Sequence, residues 1–231
     1  MRVAYIDMIG GASGNMLLGA FVDAGLDLDA TVTMLQTLSV DGWTIEGKRV
    51  ERHGIAATYI DVVVPGEDDH VDHAEAHRHP PGRRTLSDVQ QIFQRSKLSI
   101  AQKVLALRIA TRLFEAEGLP NFHPIGQIDA ILDIAATCIA SEELRIEKFF
   151  CSAFPVGYRL PKPTQRLLGS VPARLASINA EMVTMTGAAI LTTLVQRPGE
   201  RPPIVVECEG YGAGRSDFPI PNVTRVEIGE I

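Results

Sequence analysis

The chain has 231 residues, 45% of them hydrophobic and 22% charged, with a net charge of -6. That balance is one of a folded globular protein and excludes a disordered chain; no run approaches the roughly 20 apolar residues of a membrane-spanning helix. The acidic surplus argues against a general nucleic-acid binder, and three widely spaced cysteines, Cys138, Cys151 and Cys208, form no CxxC pair, so reduced thiols are expected and no disulfide frame.

The first residues, "MRVAYID", enter a strand pattern without the apolar core of a signal peptide, so a cytoplasmic location is the expectation. The strand at Val3 to Ile6 reaches Asp7, breaks into the turn "GGASGN" and restarts as a helix. Met16, Leu17, Ala20, Phe21 and Ala24 share one face of that helix, with Ser13 as its cap and Gly25 as its end. A second helix is predicted over Asp29 to Leu38, and two paired strands lie within Trp43 to Val64. From Pro65 to Arg84 the composition turns polar, with four of the six histidines, and predicts a flexible loop. Helices follow at Leu86 to Arg95, Ala101 to Glu117 and Gln127 to Leu144, so the middle third is helical. Lys148 to Gly157 reads as a strand entering a loop, and the proline-rich Tyr158 to Arg166 as an exposed connection. The tail returns to strands in "PPIVVECEGYGAG" and "NVTRVEIGEI", joined by a turn around Ser216 to Pro221. No internal repeat is present. The order predicts an α+β or α/β fold, a mixed sheet with packed helices, as one domain over residues 1–231.

Four stretches carry candidate chemistry. Gly10, Gly11 and Gly14 can converge backbone N–H groups at a helix N-terminus, where the dipole favours an anion; the other reading is a tight turn capped by Ser13. The spacing is neither the Walker pattern nor GxGxxG. Asp7 ends a strand, where open α/β sheets place ligands, or holds the turn by an Asx-type contact. In "NFHPIGQIDAILDIAA", Ile128, Ile131, Leu132, Ala135 and Ile139 form a buried stripe, and Asp129 and Asp133 project side by side along its flank. Such a pair suits a hard cation or a metal-bound phosphate. Asp133, a turn deeper beside the stripe, needs a partner, a cation or water; His123 is a candidate ligand or acid/base, or else a histidine that only ties a loop. His70, His73, His77 and His79, interleaved with acids, suit a late divalent metal such as nickel or zinc, or are simply a solvated loop. Last, "EGYGAGRSDFP" sets Gly210, Gly212 and Gly214 around Tyr211, as a ligand-facing turn or a strand end.

Together these motifs resemble the N-terminal portion of the LarC family, nickel-insertion proteins of the nickel-pincer cofactor, over nearly the whole chain. The family's opening "DxFSGxSGDM" is similar to this chain at Asp7, Gly11, Ser13, Gly14 and Met16, with Asn15 in place of an aspartate. Its "HFHEVGAxDSIxDI" aligns with "NFHPIGQIDAILDI", retaining His123, Gly126, Asp129 and Asp133 but placing Asn121 and Pro124 where the family has His and Glu. "PTGAA" corresponds to Met185 to Ala189, and "GYGAGxxD" with "PNVxR" to Gly210–Gly214, Asp217 and Pro221–Arg225. The family's "HGxxPxPAP" segment is reduced to "LPKPTQRLLGSVPARLAS".

The resemblance implies CTP-dependent insertion of nickel into the pyridinium bis-thiocarboxylic acid mononucleotide. It implies that Asp129, Asp133 and His123 hold or deliver the metal, that the histidine loop gathers it, and that Asp7 and Ser13 stand among the catalytic groups. The turn from Gly10 to Asn15, with Tyr211, Gly212 and Gly214, would face the ligand. Family members continue into a smaller domain associated with CTP and Mg or Mn, so a separately supplied CTP-binding domain is an expected partner. Each departure at Asn15, Asn121 and Pro124 removes a titrating or ligating group. A non-catalytic metal- or nucleotide-binding paralogue and a scaffold subunit are therefore the alternative classes. Strand edges in a small mixed sheet leave a homo-oligomer open as well.

Overall fold

A computed structural model describes residues 1–64, 84–118 and 128–231. Eight strands and seven α-helices are found among the described residues: β1 (Arg2–Asp7), α1 (Gly14–Asp23), α2 (Leu28–Leu35), β2 (Thr44–Arg52), β3 (Ile55–Val63), α3 (Leu86–Arg95), α4 (Ile100–Glu117), α5 (Ile128–Glu143), β4 (Lys148–Cys151), β5 (Phe154–Val156), α6 (Lys162–Leu168), β6 (Ala173–Leu175), α7 (Met185–Leu194), β7 (Val205–Ala213) and β8 (Val223–Glu230). Six strands form one mixed sheet in the order β2-β3-β7-β8-β1-β4, and β5 and β6 pair separately. β1 runs parallel to β4 and antiparallel to β8, while β3 runs parallel to β7. The expected α+β arrangement, a mixed sheet with packed helices, is the one observed, and the predicted strand pair is the antiparallel β2–β3 ladder.

Local chemistry explains the helix starts. Ser13 caps α1 by accepting the Met16 N–H, and Asp27 caps α2 through the Ala30 N–H. Thr85 with Asp88, and Ser99 with Gln102, form reciprocal capping boxes on α3 and α4. Along β1 the alternation is strict. Ala4 and Ile6 join the main core with Leu17, Phe21, Ile131 and Ile228, whereas Val3 and Tyr5 join a small cluster with Phe150 on the other face.

One expectation is corrected. The stretch Tyr158 to Arg166 is not wholly an exposed connection, because α6 begins at Lys162 and buries Thr164, Leu167 and Leu168. Its prolines sit at the start of the helix, where a missing N–H costs nothing. A helix that the apolar pattern left unread, α7, begins at Met185 with Thr184 as its cap and buries Gly187 to Leu191.

α1 lies unusually close to the sheet. A Cβ at Gly212 would fall on the Met16 carbonyl oxygen, and one at Gly210 on the Ala20 carbonyl, so the backbone of β7 touches the backbone of the helix. From the helix side, Gly19 does the same against the Thr58 carbonyl of β3. Asp23 then locks the contact: its Oδ2 accepts the Tyr211 N–H at 2.7 Å, and its Oδ1 accepts from Thr58 Oγ1 at 3.2 Å and pairs with Arg49. Gly212→Ala is expected to cost about 3 kcal/mol or more, at the top of the overpacking range, because backbone cannot step aside as a side chain can. Urea unfolding checks this; an unchanged midpoint would contradict the close approach.

Candidate functional site

The glycine turn after β1 is held on all sides by backbone. The Gly10 N–H donates to the Val223 carbonyl at 3.0 Å, the Ala12 N–H to Met182 at 2.9 Å, and the Thr184 N–H to Ala12 at 3.0 Å. Gly11, at a φ of +144°, leaves no room for a Cβ against the Met182 carbonyl, and Gly10 none against Pro221. Residues Ala12 and Val183 therefore lie side by side in parallel and lead into α1 and α7. The Gly10 and Ala12 N–H groups are committed to carbonyls, and the N-terminus of α1, at Gly14 and Asn15, follows directly. Asn15 accepts from Ser13 Oγ at 2.5 Å and donates to the Ile60 carbonyl at 3.3 Å.

The second motif arrives at the same place. Asp133 on α5 packs against Gly14, where a Cβ would overlap its Cβ, Cγ and Oδ2. The residue is 8% exposed, and its Oδ1 has no hydrogen-bond partner among the described residues. Burial pushes its carboxyl well above the ordinary carboxylate range, and the Asp129 carboxylate adds to the shift. Asp129 is half-buried in the first turn of α5, and its Oδ1 accepts the Ala130 N–H at 2.8 Å. Two motifs more than a hundred residues apart thus meet at one point. Chemically, a buried carboxyl beside a second carboxylate and a helix N-terminus can take a cation or a proton.

Other candidate residues fall elsewhere. Alternation along β1 turns Asp7 away from the core face; it pairs with Arg225 at 3.3 Å, and Arg225 also meets Glu227 at 3.4 Å. The residues expected to be catalytic are thereby divided, with Ser13, Asp129 and Asp133 on the helix side and Asp7 on the opposite face of the sheet. Tyr211 packs with Tyr59, Ala213 and Val223, and Gly212 lies inside β7 beneath α1, so neither forms a ligand-facing turn. Gly214 gives its N–H to Asn222 and its carbonyl to Arg52. His70, His73, His77, His79 and His123 lie outside the described residues. Among the described residues, no group of three or more His, Cys, Asp or Glu side chains could hold a metal ion. The cysteines are free as expected; Cys138 and Cys151 are buried, and burial raises the Cys151 thiol to about 12.

Sequence reasoning missed three residues. Asp23 drew no reading from the sequence, yet it ties α1 to β7. Arg225 stood in a quoted motif without a role, and its place opposite Asp7 follows from the register Asp7↔Arg225. Glu117 ends α4 with its Oε2 unpartnered among the described residues, and burial raises its carboxyl to about 7; no pattern in the chain signals that.

An α+β protein with a buried acidic point beside a helix N-terminus is the class that fold and site define. The family model described as "Nickel insertion protein" matches residues 4–230. This chain belongs to that family. Among its relatives, the pyridinium-3,5-bisthiocarboxylic acid mononucleotide nickel insertion protein of Desulfitobacterium hafniense is 39% identical, the alignment covering 100% of this chain and 59% of the relative. The proteins of the same description from Geobacillus kaustophilus and a Thermotoga species are 36% and 37% identical, with 100% of this chain aligned and 60% and 62% of theirs. The chain thus spans about three fifths of the length of these relatives. No solved structure matches it at a significant level. Among the described residues, no helix is long and apolar enough to cross a membrane.

Glu117 yields a pH prediction. Its carboxyl titrates near 4.5 in the unfolded chain and about 7 in the folded one. Its contribution to stability is therefore complete below the unfolded value and is lost as pH rises through the folded value. Glu117→Gln, which stays neutral, is expected to be more stable than the native chain at about pH 8, with the advantage gone at about pH 4. Urea unfolding at both pH values checks it, and a pH-independent difference would contradict the buried acid.

Proposed function

We propose that this chain takes part in nickel-pincer cofactor synthesis, receiving Ni²⁺ as substrate and passing it to the pyridinium-3,5-bisthiocarboxylic acid mononucleotide named in its relatives. The observation that carries this is the convergence of the two family motifs, the glycine turn and the Asp129–Asp133 pair, at one buried point. Carboxylate oxygens hold a first-row metal less firmly than sulfur does, so a metal resting on Asp133 and Asp129 passes readily to the softer thiocarboxylates of the substrate. Forming a carbon–nickel bond also displaces a proton from the pyridinium carbon. Asp133, whose burial raises its proton affinity, is the group assigned to receive it.

His123 is proposed as a further ligand and the histidine loop as a nickel collector, both from the sequence. The first turn of α1, at Gly14 and Asn15, is proposed to face the phosphate of the mononucleotide, with Ser13 holding Asn15 in place. Dependence on CTP with Mg or Mn, a separate CTP-binding partner and a cytoplasmic setting rest on the resemblance and belong to the same proposal. The activity would be that of a nickel chelatase in cofactor synthesis.

The test is nickel insertion followed by mass spectrometry, with purified protein, Ni²⁺, Mg·CTP and the mononucleotide. Asp133→Ala is expected to lower the rate by about 10²–10⁴-fold, the usual worth of a positioned acid or base, with mononucleotide binding retained. A full rate from this variant would overturn the assignment.

A further inference from the structure

Gly14 occupies the first position of α1, a place where its residue type is unexpected. Its φ is not among the positive ones, so no left-handed backbone requires glycine, which is otherwise a poorer helix former than alanine. A packing reason is therefore needed, and Asp133 supplies it. The overlap that a Cβ at Gly14 would create involves the Cβ of Asp133 as well as its Cγ and Oδ2. Rotation about χ1 moves the carboxyl but leaves Cβ where it is, so no rotamer of Asp133 relieves the clash.

Asp133 cannot retreat either. Its helix is fixed on both flanks by Ile131, Leu132, Ile134 and Ala135, all buried in the main core. From the other side, Gly187 presses against the Ala12 carbonyl and holds the start of α1 against α7. Oδ1 is unpartnered among the described residues, so no hydrogen bond there positions the carboxyl; the packing of its Cβ, Cγ and Oδ2 against the bare Cα of Gly14 does.

We infer that Gly14 is a positioning residue for Asp133, its missing side chain making the place in which the carboxyl is held for a metal ion. The metal part rests on the nickel reading above, whereas the steric part stands without it. Toward the metal, Gly14 thus acts through Asp133 and does not touch the ion.

The experiment uses the full chain with the four loop histidines replaced by alanine, so that Ni²⁺ bound there does not mask the site. Gly14→Ala, Asp133→Ala, Asp133→Gly and the two corresponding double variants are compared by thermal midpoint in chelator and by calorimetric titration with Ni²⁺ alone. Gly14→Ala is expected to weaken Ni²⁺ binding by about 10–100-fold, as loss of an outer-shell support does, and to lower the midpoint. Adding Asp133→Gly should recover most of that midpoint loss. Adding Asp133→Ala should not, because the Cβ overlap remains. Unchanged Ni²⁺ affinity in Gly14→Ala would overturn the inference, as would a Gly14→Ala/Asp133→Gly protein no more stable than Gly14→Ala, including the case in which neither folds. Unchanged Ni²⁺ affinity in Asp133→Ala would instead remove the metal reading, and the midpoints of the double variants would then decide the positioning alone.

Discussion

The backbone contact between α1 and the sheet is the constraint on which the rest of the molecule depends. Gly210 and Gly212 let β7 touch the helix, Gly19 lets the helix touch β3, and Asp23 bonds across the seam. A helix held this low has its direction set by the strands beneath it. Its N-terminus is consequently delivered to a fixed point, beside the parallel segment that opens α7 and against the flank of α5. The acidic point exists because α1 cannot rise away from it.

From that constraint the chemistry follows. Asp133 is buried by the same packing that seats α1, so its carboxyl loses water and its proton affinity rises. Such a group is costly in an apo protein and useful in one that handles a cation or a proton. The glycines quoted as ligand-facing turn out to divide by role. Those at 10, 11, 210 and 212 make close backbone approaches, and Gly14 faces a side chain that the nickel reading makes functional.

Most of the architecture was legible in the chain. The capped start of α1, the β2–β3 pair and the apolar stripe of α5 were read from local patterns, because each is decided by neighbours in sequence. α7 escaped because "MTGAAILTTL" is buried at half its positions and lacks a polar face, so its periodicity is weak. At the site, the pairing of Asp129 with Asp133 was legible from their spacing of four. That Gly14 faces Asp133 was not, since it depends on how two helices cross. Equally, Asp7 stood beside the glycine turn in sequence and yet lies on the other face, a separation that strand alternation alone produces.

The central claim, that the metal-handling point lies where α1 meets Asp133, is tested most directly by a crystal of the native chain soaked in Ni²⁺, with anomalous scattering measured at the nickel edge. The account predicts a peak within bonding distance of Asp133 Oδ1, beside Gly14 and Asn15. Nickel peaks confined to the histidines of residues 65–84, with none at Asp133, would contradict it.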